Sequence, residues 1–119
     1  CIRDSCDFVD TDREAITAVD HHLNTLNATE CSTVSCDVAA HYLRQINDTW
    51  DIVFVDPPFD ARLGESTLTL LAESDRLAKA SRVYFETSRS QPEPVPEGLY
   101  HVLREKTTGD VCYRLLSPR

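Results

Sequence analysis

Residues 51–55 (DIVFV) run directly into Asp56-Pro57-Pro58-Phe59, and this junction limits the possible folds more than any other stretch of the chain. Four consecutive apolar residues, Ile52 to Val55, predict a strand covered on both faces, as in parallel sheets flanked by helices. Two successive prolines cannot continue that strand, because neither has an amide hydrogen to donate and each fixes its own φ. The chain must leave the sheet at Asp56 with a rigid backbone. In open α/β sheets, ligands bind at such strand carboxyl ends.

The flanking sequence alternates strand and helix patterns. Residues 6–10 (CDFVD) read as a short buried strand. Thr11-Asp12-Arg13-Glu14 has the S/T-x-x-E form of a capping box and predicts a helix that buries Ala15, Ile16, Val19, Leu23 and Leu26 and stops near Asn27. Residues 31–36 (CSTVSC) read as a second strand. Asp37 is a suitable N-cap for a helix with Val38, Ala39, Tyr42, Leu43 and Ile46 as its apolar stripe. Beyond the prolines, residues 63–77 space Leu68, Leu71 and Leu77 for a helix, and residues 82–86 (RVYFE) form a strand. Residues 89–98 carry three prolines, at 92, 94 and 96, and predict a loop. Residues 100–106 and 111–116 flank Thr107-Thr108-Gly109-Asp110 as a hairpin with glycine at its turn. The sum is an α/β fold, a mostly parallel sheet with an antiparallel C-terminal hairpin.

At 119 residues the chain is one domain or most of one, and 41% apolar residues suffice for a core. No apolar run approaches the ~18 residues of a membrane span, and the N-terminal sequence lacks signal-peptide character. A cytoplasmic protein with no membrane partner is expected. The net charge of −8 argues against a nucleic-acid partner held mainly by electrostatics, although basic residues gather late, at Arg82, Arg89, Arg104, Lys106, Arg114 and Arg119. Five cysteines include two C-x4-C pairs, Cys1/Cys6 and Cys31/Cys36. Neither pair has the spacing or turn glycines of a zinc knuckle, so reduced thiols acting as small buried hydrophobes are expected, and no metal. His21 and His22 are adjacent on a helix and face different ways, while His41 and His101 have no obvious partner; all four are expected at the solvated surface.

Three acids lie at strand carboxyl ends: Asp10, Asp37 and Asp56. Asp10 can hydrogen-bond ribose hydroxyls, and Asp37 an adenine amino group; equally, each can serve only the start of the following helix. Asp56 differs, because its carboxylate and the Pro57 carbonyl can converge on one exocyclic NH2 while Phe59 offers a face for a base to stack on.

The stretch DIVFVDPPF resembles motif IV, (D/N)-P-P-(F/Y/W), of S-adenosylmethionine-dependent amino-methyltransferases acting on nucleic-acid bases. The order DFVDTDREAI, SCDVAAHYL, DIVFVDPPF, VYFETS and LREKTTGDVCYRLL is similar to the bacterial small-subunit rRNA guanine-N2 methyltransferases of the RsmD family, over nearly all of the chain. That resemblance implies a Rossmann-like class I methyltransferase fold, with S-adenosylmethionine as cofactor and guanine in 16S rRNA of the small ribosomal subunit as substrate. It makes Asp56, Pro57, Pro58 and Phe59 the target-base site, Asp10 the ribose-binding acid, and Asp37 with Val38 the adenine contact. An adenine-N6 or other amino-methyltransferase, or a non-catalytic remnant serving as an interaction module, are the competing readings.

The family's glycine-rich cofactor loop is not in this sequence: Gly64, Gly98 and Gly109 all lie downstream. With the absence of any methionine, this leads to the expectation that residues 1–119 are the C-terminal portion of a single methyltransferase domain, whose lost part is basic and carries the first strand. The strand bearing that loop would sit between those ending at Asp10 and Asp56. Without it, two half-sheets with unpaired edges are expected, with weak cofactor binding and possible self-association.

Overall fold

The computed structural model describes residues 5–58 and 62–119. They form two compact units, Cys1–Gln45 and Ile46–Arg119.

The first unit runs β1 (Cys6–Asp10), α1 (Arg13–Thr25), a 3-10 turn (Thr29–Cys31), β2 (Ser32–Cys36) and α2 (Ala39–Gln45). β1 and β2 pair in parallel, from Cys6 opposite Ser32 to Asp10 opposite Cys36. The expected capping box does not form: Asp12, not Thr11, is the N-cap, which leaves Ala15 at the third helical position. At the N-cap, Asp12 Oδ1 accepts the Glu14 amide at 2.9 Å. A carboxylate at that position both satisfies an orphan amide and complements the helix dipole. Leu26 is the C-cap, and Asn27 follows at φ 56°, so the helix ends before Leu26 can turn inward; Leu26 is exposed, against expectation. Only Leu23 of the expected stripe is fully buried, with Ala15, Ile16 and Val19 partly covered. In α2, Tyr42 and Leu43 are buried as predicted.

The second unit runs β3 (Trp50–Val55), α3 (Gly64–Glu73), β4 (Leu77–Ser88), β5 (Tyr100–Thr108) and β6 (Val111–Pro118). Its sheet has the order β3-β4-β6-β5, with β3 parallel to β4 and the remaining pairs antiparallel. The expected parallel core, antiparallel hairpin and division into two sheets are all present. Gly109 and Asp110 make a two-residue turn, with Gly109 at φ 58° as a primed hairpin turn requires.

Three expectations fail in this unit. The helix predicted over 63–77 ends at Glu73, because Asp75 at φ 58° breaks it, and Leu77 opens β4 opposite Trp50. β4 is correspondingly longer than the predicted 82–86. The register between Trp50 and Ile52 is shifted, and buried Ser81 bridges the gap, its Oγ donating to the Trp50 carbonyl at 2.7 Å and accepting the Ala78 amide at 2.8 Å. Finally, β3 is not covered on both faces. Val55 is buried, but Ile52 and Phe54 are 63% and 73% exposed. Alternation places those two on the opposite face from Val55, and β3 pairs on one side alone among the described residues.

The core of this unit joins Leu68 and Leu71 of α3 to Val83 and Phe85 of β4 and Leu116 of β6, all at or below 1% exposure. Tyr100 closes it, its hydroxyl donating to the Leu68 carbonyl at 2.6 Å; burial pushes that phenol well above its ordinary pKa. Of the cysteines expected inside, Cys112 is buried and Cys31 partly so, whereas Cys6 and Cys36 are exposed at the ends of strands with little covering them. No helix among the described residues is long and apolar enough to cross a membrane.

Candidate functional site

Parallel pairing brings Asp10 and Asp37 together at the carboxyl end of the first sheet. Asp10 is the last residue of β1, its carbonyl accepts the Asp37 amide at 3.0 Å, and Asp37 directly follows β2. Asp10 Oδ1 accepts the Asp12 amide at 2.9 Å, a local turn that aims the chain into α1. One carboxylate oxygen is so engaged, and the side chain is exposed.

Asp37 does not cap α2. The first α2 hydrogen bond, from the Tyr42 amide, goes to the Val38 carbonyl at 3.0 Å, so Val38 occupies the N-cap position. The Asp37 carboxylate instead accepts the Val38 amide at 2.7 Å and His41 Nδ1 at 2.8 Å. Gln45 Nε2 lies 3.2 Å from His41 Nε2. The carboxylate can only accept, so His41 Nδ1 donates to it, and the Gln45 side-chain amide faces the other ring nitrogen. The hydrogen bond from His41 holds the Asp37 carboxyl below its ordinary pKa, outweighing an opposing effect of burial and aided by the Val38 amide. His41 thus has a partner that inspection of the sequence missed, although its spacing of four residues from Asp37 was a usable signal. Val38 is 53% exposed and offers an apolar surface beside the two acids.

In the second unit, Asp56, Pro57 and Pro58 leave the sheet immediately after Val55, as the sequence required. Asp56 is exposed at the carboxyl end of β3. Phe59 lies outside the described residues. Val55 pairs with Phe85, so the next residue on each strand, Asp56 and Glu86, stand side by side. Glu86 is raised above its ordinary pKa, by burial first and by the charge of Asp56 and a hydrogen-bond interaction with it second. Glu86 belongs to VYFETS, whose pattern marks a strand but gives no hint of a carboxyl pair; only the register reveals it.

The start of α3 is held by a buried polar cluster. Glu93, from the proline-rich loop, is 6% exposed, and its Oε2 accepts the amide of Gly64, the first residue of α3, at 2.9 Å. A carboxylate there satisfies an orphan helix amide and favours the dipole. The Glu93 carbonyl accepts from Arg114 at 2.6 Å, and Arg114 also donates to Thr87 Oγ1 at 3.2 Å and stacks over the Phe85 ring at 5.2 Å. Gly64 is required by close approach, since a Cβ there would overlap the Glu93 carboxylate and the Phe85 ring. The first turn of α3 is therefore tied to a buried anchor.

Among the described residues no group of three or more His, Cys, Asp or Glu is placed to hold a metal ion. A surface hollow lined by Val95, Pro96, Gly98, Tyr100 and Arg119 lies by the start of β5 and the end of β6. Antiparallel pairing sets those residues away from the end of β4 that carries Glu86, so the hollow is unconnected with the chemistry of Asp56.

Residues 3–117 match the family model described as conserved hypothetical protein 95. Among curated proteins the chain is similar to ribosomal RNA small subunit methyltransferase D of Haemophilus influenzae, at 34% identity over 91% of this chain and 57% of the relative. The protein of the same name from Escherichia coli strain K12 is also 34% identical, over 91% of this chain and 54% of the relative. The chain spans about half the length of these relatives. A solved structure from Escherichia coli, provisionally named a methyltransferase, matches with a TM-score of 0.85 and 31% identity over 97% of this chain and 64% of that one. Another, from Haemophilus influenzae and provisionally named a methylase, gives 0.81 and 32% over 96% and 72%.

Proposed function

This chain belongs to the conserved hypothetical protein 95 family, that of the RsmD-type methyltransferases, and from that premise we propose that it transfers a methyl group from S-adenosylmethionine to the exocyclic amino group of guanine in 16S rRNA. Its fold is the Rossmann-like α/β fold of class I methyltransferases. We read residues 1–119 as the C-terminal portion of one such domain, working in the cytoplasm on the small ribosomal subunit. The acid excess then belongs to this portion and does not argue against an RNA substrate. The observation that carries the reading is Asp56-Pro57-Pro58: an exposed carboxylate and a rigid backbone set at the carboxyl end of a parallel strand.

The chemistry follows from the amine. A guanine 2-amino lone pair is delocalised into the ring and is a poor nucleophile until acceptors hold its hydrogens and favour a pyramidal nitrogen. The Asp56 carboxylate and the Pro57 carbonyl are such acceptors, and the double proline keeps them in place without an entropic cost at the moment of reaction. Phe59 would hold the ring by stacking, and Pro58 would fix the path between them. When bound, the cofactor supplies an electrophilic methyl on a sulfonium that is already a good leaving group.

The residues at the first sheet fit a nucleoside in part. Asp10 keeps Oδ2 for a ribose hydroxyl, and Val38 presents an apolar surface to a base. Asp37 could accept an adenine amino group only by sharing oxygens now bonded to His41 and the Val38 amide.

Methyl transfer to naked 30S particles, 16S rRNA and DNA, with the product nucleoside identified by mass, tests the reading. Methylated guanine in 16S rRNA is expected; methylated adenine would favour the N6 reading. Asp56→Ala removes an exposed side chain, so folding is preserved while methyl transfer is lost and S-adenosylhomocysteine binding measured by titration calorimetry is retained. An active Asp56→Ala protein would sink the assignment. No S-adenosylhomocysteine binding by a chain with its upstream region restored would favour the non-catalytic remnant.

A further inference from the structure

The carboxylate on which that chemistry depends has a neighbour. The Val55–Phe85 pairing sets Asp56 and Glu86 side by side on the sheet face opposite the buried Val55 and Phe85 side chains. Tyr113 of β6 lies directly across from Glu86, Tyr84 precedes it by two residues on the same face, and Lys106 of β5 pairs with Tyr113 one strand further out. The Tyr84 phenol is itself pushed up by burial, by Tyr113 and by Glu86, so it stays neutral at neutral pH. Among the described residues, the pairing neighbours of Glu86 on β3, β4 and β6 include no cation. Two carboxyl groups can share a hydrogen bond only if one of them carries a proton. Burial and the adjacent Asp56 charge raise Glu86 above its ordinary pKa, which favours Glu86 as the holder of a shared proton.

We propose that Glu86 is a positioning residue for Asp56: as a carboxylic acid it donates a hydrogen bond to one Asp56 oxygen and so turns the other toward the amino group of the target base. This rests on the methyl-transfer reading above. In the reaction the amino nitrogen's lone pair forms the new N–C bond, and the C–S bond pair returns to the sulfonium sulfur, leaving a neutral thioether. The nitrogen, now cationic, loses one proton to Asp56, which passes it to water. Glu86 keeps its own proton throughout. Its ionisation would place two charges side by side and remove the donor that orients Asp56, so activity should fall on an alkaline limb set by Glu86.

Carbon-13 NMR titration of the protein's carboxyl groups, paired with steady-state kinetics, tests the proposal. Glu86 is expected to titrate above the ordinary glutamate range and to fall toward it in Asp56→Asn. Glu86→Gln, whose amide can still donate to Asp56, should keep kcat within about threefold and lose the alkaline limb, whereas Glu86→Ala should lower kcat about tenfold to a hundredfold at little changed KM, the worth of one hydrogen bond to a charged group. Glu86 titrating in the ordinary range, or Gln as damaging as Ala, overturns the proposal. If wild-type protein methylates no RNA while Glu86 titrates high, the methyl-transfer reading fails and the carboxyl pair stands. An active wild type with an ordinary Glu86 has the opposite meaning.

Discussion

The two units carry comparable candidate residues on unequal foundations. Among the described residues of the first unit, a two-stranded sheet and two helices bury only Leu23, Tyr42 and Leu43. Residues 46–119 close a four-stranded sheet over Phe85, Leu68, Leu71, Leu116 and Val83, and satisfy buried Ser81, Thr87 and Glu93 by hydrogen bonds. Asp10 and Asp37 are therefore placed by local turns and exposed hydrogen bonds. Asp56 is instead placed by a packed strand, and α3 of the same unit starts on a buried anchor. Positioning a reacting group demands tighter geometry than holding the far end of a ligand, and the more rigid unit holds the acid proposed to react.

Truncating the core of each unit should separate them most strongly. Phe85→Ala removes a fully buried ring that Arg114 stacks on and should cost about 3–5 kcal/mol, against about 2 kcal/mol for Leu23→Ala, whose thin surroundings can collapse around the gap. Urea unfolding followed by hydrogen exchange in each unit measures both; equal losses would erase the contrast. Gly64→Ala tests the anchor alone. The added methyl has no room beside Glu93 and Phe85, so a loss of about 1–3 kcal/mol confined to the second unit is expected, and an unchanged denaturation midpoint would show that α3 can shift freely.

The smallest effect belongs to Asp37. Its folded-state pKa lies below the unfolded value, so its contribution to stability is present above the unfolded pKa, near ~3.9, and is lost as pH falls through the folded value. An NMR titration of Asp37 should show the depressed midpoint, and His41→Ala should return it toward the ordinary aspartate value. An unchanged midpoint in that variant would remove His41 as the cause.

Much of this could be read in the sequence because it depends on near neighbours. Asp56-Pro57-Pro58 ends β3 wherever the strand is placed, since proline lacks the amide a ladder needs. The hairpin at Gly109 and the two βα alternations follow equally from local chemistry. Reading failed where a choice depended on distant partners. Leu77 continues a helical spacing but joins β4, because Trp50 offers it a strand partner and Asp75 takes a left-handed turn. Ile52 and Phe54 look like core and are exposed, because apolar character states what a residue can bury and not what covers it.

By itself the sequence determined the order of elements, the acids at strand carboxyl ends and the rigid exit at Asp56, because periodicity, caps and prolines act over a few residues. Tertiary structure alone decided that Glu86 stands beside Asp56, that Glu93 reaches Gly64 across 29 positions, and that Arg114 holds the Glu93 carbonyl. Strand register and the packing of a buried charge set these contacts. Both are fixed only when separate segments meet.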